Sequence, residues 1–138
     1  MAKTFKVSIV TAEQTLLETE AVSLTLPGIA GYLGVLANHA PLVTALVPGV
    51  LTMKQDDGGP ASVFAVTNGF VEVARNEVSV MVDACEPAPD IDVTRAEIAL
   101  EKAKERLAHR GDVGVDVTRA DAAMARAKAR VMAARKPH

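Results

Sequence analysis

Tryptophan is absent from this chain of 138 residues, and its aromatics are one tyrosine, Tyr32, and three phenylalanines, Phe5, Phe64 and Phe70. Any core must therefore be assembled from Val, Leu, Ile, Met and Ala. With 49% hydrophobic and 23% charged residues, the balance is that of an ordinary globular chain. A single cysteine, Cys85, excludes an intrachain disulfide and agrees with a reducing compartment. No run approaches the roughly 20 apolar residues of a membrane span. The richest stretch, Leu33 to Leu51, is broken by Asn38, His39, Pro41 and Pro48. The apolar run after Lys3 and Lys6 is too short for a secretory leader and soon meets Glu13. The expectation is a soluble cytoplasmic protein that reaches a membrane only indirectly, through another protein.

Recognisable catalytic sequences are missing too. There is no GxxxxGK[ST] phosphate loop and no Gly-Lys pair, and HExxH, CxxC and GxSxG do not occur. His39, His109 and His138 are scattered without metal-ligand spacing, and nothing beside Cys85 marks an activated thiol. A non-catalytic binding protein, with no metal and no required cofactor, is the reading that follows. A net charge of −2 argues against nucleic acid as a partner. That average hides a split: residues 1–88 carry 4 basic and 9 acidic side chains, whereas residues 89–138 carry 11 basic and 8 acidic ones. After Thr118 six basic residues face one acid, Asp121.

What is present falls into two periods. Phe5, Val7 and Ile9, then Val22, Leu24 and Leu26, then Val78, Val80 and Val82, alternate with other residues as half-buried strands do. Pro27-Gly28, Pro48-Gly49, Asn68-Gly69 and Arg75-Asn76 punctuate them, and Asp56 to Pro60 reads as an exposed hairpin tip. The spacing predicts an all-β sandwich over residues 1–86. Pro87-Ala88-Pro89-Asp90 then breaks both strand and helix, and residues 87–138 form the second unit. There the period becomes 3.6. Ala96, Leu100, Ala103 and Leu107 make one stripe, and Ala120, Met124, Ala127, Val131 and Ala134 another. Asp92 is positioned to cap the first helix, with a Thr94/Glu97 capping box as the alternative. Gly111 suits its C-cap, and Asp116 or Thr118 can cap the second helix. The fold class is an N-terminal all-β sandwich followed by a C-terminal antiparallel α-helical hairpin. Its alanine seams bury little area, so the hairpin docks weakly and can occupy two arrangements.

Two segments stand out. Residues 31–42 mix Gly31, Tyr32, Gly34, His39 and Pro41 in an apolar frame, which suits either a tight loop between strands or a recognition loop. Arg119, Arg126 and Arg130, spaced 7 and 4, share one helix face near the sequence cluster Asp92 and Arg95. A solvated basic face is the ordinary reading; an anion or acidic-surface site is the sharper one.

Taken in order, several pieces resemble one family along nearly the whole chain. They are Thr11-Ala12-Glu13-Gln14, Gly31-x-Leu33-Gly34 with His39-Ala40-Pro41-Leu42, Pro48-Gly49, Asn68-Gly69-Phe70-Val71-Glu72-Val73, Asn76-Glu77-Val78 and Ile91-Asp92-x-x-Arg95-Ala96. The family is the epsilon subunit of bacterial F-type ATP synthase. The resemblance implies a rotor component at the cytoplasmic face of the bacterial inner membrane. Its sandwich binds the gamma subunit and sits on the c-ring, and its hairpin extends towards the alpha and beta catalytic subunits to inhibit ATP hydrolysis. Gly31, Tyr32, Leu33 and His39 would make the c-ring and gamma contact, with Tyr32 and His39 at one end of the sandwich. Tyr32 stands where many relatives carry an acid. Arg119, Arg126 and Arg130 would meet the catalytic head. Some relatives bind ATP as a regulatory ligand at the hairpin. Glu86, Ile91, Asp92, Arg95, Ala96, Arg126 and Arg130 match that pattern, while Lys102 replaces an Arg and lacks its planar fork. The alternative is a free-standing ATP-sensing module built on the same cluster.

Overall fold

Strand alternation and turn chemistry account for the first two-thirds of the computed structural model, which describes residues 3–136. Ten strands follow in order: β1 Phe5–Val10, β2 Thr15–Ala21, β3 Ser23–Gly28, β4 Gly31–Val35, β5 Leu42–Leu46, β6 Gly49–Lys54, β7 Ala61–Val66, β8 Gly69–Ala74, β9 Glu77–Val82 and β10 Cys85–Pro87. Phe5, Val7 and Ile9 point inward from β1 while Lys6 between them is exposed, the phase the alternation requires. Arg75 and Asn76 both adopt left-handed φ, 53° and 62°, closing the β8–β9 hairpin in the two-residue turn whose twist matches its strands.

The strand order is β10-β7-β6-β3-β5-β8-β9-β1-β2, with β4 on the free side of β3. Only Gly28 opposite Leu46 joins β3 to β5, so the sheet folds over at that point into two facing halves. β1 runs parallel to β9 and antiparallel to β2. Between the halves lies a core of Val, Leu, Ile and Met with Phe5, including Leu24, Leu26, Leu46, Leu51, Val71 and Val80.

β10 ends at Pro87, and a 3-10 turn over Ala88–Asp90 leads into α1, Val93–Ala108. Asp92 caps α1 by accepting the Arg95 backbone N–H at 3.0 Å, and Asp116 caps α2, Val117–Arg135, by accepting that of Arg119 at 3.0 Å. Gly111 is not the C-cap: α1 stops at Ala108 with His109 in the capping position, and the left-handed glycine of the connecting loop is Gly114, φ 90°. The loop satisfies the end of α1 through His109 and Arg110 N–H groups bonded to the Arg106 and Leu107 carbonyls, so no glycine is needed there.

The second core is small. Val50 of β6 and Val63 and Ala65 of β7 meet Ala88, Ile91, Ala96, Val131 and Ala133. α2 lies on β6 and β7, and α1 packs on α2. Ala120, Ala127 and Val131 are buried as the periodic stripe requires; Ala129 and Ala133 are buried as well, because α2 is covered from two sides. No described helix is long and apolar enough to cross a membrane.

Candidate functional site

Glu86 leaves the sheet from β10, opposite Ala65 of β7, and turns towards α2. Arg130 meets it with a forked contact: Nε donates to Oε1 at 2.8 Å and Nη2 to Oε2 at 3.3 Å. That hydrogen bond raises the Arg130 pKa against the lowering effect of burial, and the charges of Glu86 and Asp92 add to it. The pair joins residues 44 apart in sequence and ties the hairpin to the sandwich. Arg126 shares with them a cleft of about 350 Å³, whose remaining walls include Thr67, Ala84, Ala99 and Ala123.

Of the residues expected to hold a nucleotide, Glu86, Arg126 and Arg130 line this cleft. The others have different surroundings. Asp92 is near enough to act on Arg130 electrostatically, but its carboxylate is engaged in capping α1. Arg95 donates its backbone N–H to that cap and its side chain is exposed. Ile91 and Ala96 are buried in the hairpin core, a packing role. Lys102 lines a separate hollow near the hairpin turn with Arg106 and His109. Arg119 belongs to the start of α2, beside Arg106 and Asp116, apart from the cleft that Arg126 and Arg130 share. Arg130 in particular is occupied by Glu86.

Residues 31–42 do not form a single patch. Tyr32 is the second residue of β4, opposite Pro27, and its hydroxyl accepts the Val50 N–H at 2.9 Å. His39 lies past the far end of β4, next to Asn38, whose N–H donates to Asn76 Oδ1 at 2.7 Å in the β8–β9 turn. Tyr32 and His39 therefore sit at opposite ends of the sandwich, not at one end as the sequence suggested. Five residues of extended strand and a following turn separate the two ends. Gly31 begins β4 at φ 125°, and Leu33 leans into the main core. Cys85 also packs on that core; desolvation pushes its thiol up to about 11, an unreactive state at neutral pH.

Sequence reasoning missed one surface. Ala45, Phe70, Met81 and Val10 stand in register across β5, β8, β9 and β1. They face outward, with Phe70 57% and Met81 42% exposed, and Val43 and Leu16 extend the row. Strand parity carried the signal: Phe70 shares a face with exposed Glu72, and Met81 with Ser79, so neither belongs to the core.

Comparison with known proteins matches the chain in two parts. The family described as "ATP synthase, Delta/Epsilon chain, beta-sandwich domain" matches residues 4–88. That described as "ATP synthase, Delta/Epsilon chain, long alpha-helix domain" matches residues 90–135. An ATP synthase epsilon chain of Pelotomaculum thermopropionicum is 44% identical over 108 residues, 78% of this chain and 79% of the relative. One from Bordetella petrii is 40% identical over 109 residues, 79% of this chain and 77% of the relative. In fold, a chain of the Euglena gracilis mitochondrial ATP synthase superposes with a TM-score of 0.82 at 23% identity, covering 95% of this chain and 81% of that one.

Proposed function

Because the chain belongs to the family of ATP synthase epsilon chains, we propose that it is an accessory rotor subunit of the synthase. Its sandwich joins a gamma subunit to the c-ring, and its hairpin restrains ATP hydrolysis by the alpha and beta subunits. The chain supplies no catalytic group of its own. It is held at the cytoplasmic face of the bacterial inner membrane by these partners.

One observation carries the coupling half of this reading: the bare apolar row across β5, β8, β9 and β1, on the side away from the hairpin. A seat of four hydrogen-bonded strands is rigid, and covering Phe70 and Met81 gains about 25 cal/mol per Å² of apolar surface removed from water. The gamma subunit is the occupant. Tyr32 and His39, at opposite ends, cannot both meet one flat partner, so the residues Gly31 to Leu33 and His39 serve different contacts.

The regulatory half rests on how lightly the hairpin is held. Residues 87–138 act as a unit separable from the sandwich of residues 1–86, tied to it by a small Ala-rich core and the Glu86–Arg130 pair. Release would free Arg130 to join Arg119 and Arg126 against an acidic surface of the catalytic head. ATP, as a regulatory ligand, fits the cleft between them: its phosphates would draw on Arg126 and Arg130, with Glu86, Asp92 and Arg95 arranged around it and Ile91 and Ala96 supporting from the core.

The test is reconstitution. Phe70→Asp combined with Met81→Asp should abolish co-purification with gamma while leaving cooperative thermal unfolding of the sandwich, since both side chains are outside its core. Unimpaired gamma binding would overturn the proposed seat. Calorimetry with millimolar ATP should give heat that Arg126→Ala removes; no heat from the parent chain would eliminate ATP as its ligand.

A further inference from the structure

The sheet has a fault directly beneath the hairpin. β3 and β6 pair through Ser23–Lys54, Leu24–Met53 and Thr25–Thr52, and two more steps of that register would bring Pro27 opposite Val50. The ladder does not continue. The Pro27 carbonyl accepts the N–H of Val47 at 3.0 Å instead, which leaves the Val50 N–H without its strand partner. The Tyr32 hydroxyl replaces the missing acceptor at 2.9 Å in a partly buried setting. The fit is tight: a Cβ on Gly49 would come within 2.5 Å of Pro27 Cβ and 2.8 Å of the Tyr32 hydroxyl, so only glycine permits the approach.

Val50 is one of the three sheet residues in the core that receives the hairpin, where Val131 and Ala133 of α2 are buried. The Tyr32 ring also walls an open hollow of about 610 Å³ whose other side is the last turn of α2, Val131, Met132, Arg135 and Lys136. We infer that Tyr32 is a positioning residue for the docked hairpin: its hydroxyl fixes the backbone of Val50, and its ring borders the place where α2 ends. The hydroxyl is thus committed to the hairpin's seat. The inference rests on the regulatory reading above only for its effect on hydrolysis; the docking role stands on the geometry alone.

Hydrogen exchange of the full chain tests it. α2 is helical largely because it is packed, so undocking should expose its amides. Tyr32→Phe, which keeps the ring and removes the acceptor, should speed exchange of Val50 and of residues 127–135 by about fivefold, and Tyr32→Ala by about tenfold or more. β1, β8 and β9, in the far half of the sandwich, should exchange as in the parent. Unchanged α2 exchange in both variants overturns the inference, and so does an equal rise in β1, β8 and β9, which would make Tyr32 a general support. The chain has no tryptophan and no second tyrosine, so tyrosine emission reports this site alone; Met132→Ser should alter it, and unaltered emission would count against the inference. In the assembled complex, Tyr32→Phe should lower ATP hydrolysis, because a loosened hairpin inhibits more. Faster α2 exchange with unchanged hydrolysis would leave the docking role intact and refute the inhibitory reading.

Discussion

Replacing Glu86 with Gln removes one charge from the single ion pair between sandwich and hairpin among the described residues. The two side chains are 32% and 38% exposed, so the pair lies between a surface bridge and a buried one. Exposed pairs are worth a few tenths of a kcal/mol to about 1, and a forked, partly shielded contact belongs near the top of that range, about 1 kcal/mol. That shifts the ratio of docked to released hairpin about fivefold towards release. Because the substituted amide can still accept one hydrogen bond and Arg130 is retained, the change weakens docking without removing the cation proposed to act on the catalytic head. Hydrolysis by the assembled complex should therefore fall at low salt, opposite in sign to deleting the hairpin. Arg130→Met should loosen docking by a similar amount, and the double variant should lose no more than either single one, which isolates the coupling between the pair. Exchange of α2 amides in the isolated chain reads the docking directly. The coupling should shrink as salt rises, as expected of a partly exposed pair. Additive single effects, or α2 exchange indifferent to Glu86→Gln, would refute the claim that this pair holds the hairpin.

Deleting residues 89–138 should leave a complex that assembles and makes ATP but hydrolyses it faster; equal rates for the truncated and full-length forms, in detached catalytic heads at low salt, would leave only the coupling role. The remaining sandwich should unfold cooperatively, because its core closes without any helical residue; a broad, non-cooperative melt would contradict this. Cys85 should react slowly with a disulfide reagent at pH 8 and accelerate only as pH approaches about 11, since desolvation holds the thiol protonated; rapid labelling of the native chain at pH 8 would mean that the strand β10 opens readily. Neutralising Arg119 and Arg126 together should partly imitate the deletion, and an unaltered hydrolysis rate would remove them from the inhibitory contact.

Short-range physics was legible in the chain by itself. Alternation over Phe5 to Ile9 and Val78 to Val82 set which side chains turn inward, and β1 and β9 bury those residues. Asp92 and Asp116 were readable as caps because a carboxylate two or three residues ahead of unpaired N–H groups needs only local geometry. Pro87 to Asp90 marked the change of period because proline acts on its immediate neighbours. Gly111 misled for the same reason in reverse: a loop can satisfy a helix end with its own N–H groups, and no single residue type announces that.

Relations between distant segments were decided only in the folded molecule. β1 lies beside β9, some seventy residues on, and that pairing turns four unremarkable outward residues into one apolar row. Glu86 meets Arg130 because β10 and α2 are brought to the same edge, which no helical or strand period encodes. Tyr32 and His39 are close in sequence, but an extended strand advances about 3.3 Å per residue and carries them to opposite ends. The interrupted ladder at Pro27, which gives the Tyr32 hydroxyl its partner, arises from a carbonyl already taken by Val47. Local preference fixes the phase and ends of each element; which elements meet is settled by the burial of the shared core, where every contact depends on residues far apart in the chain.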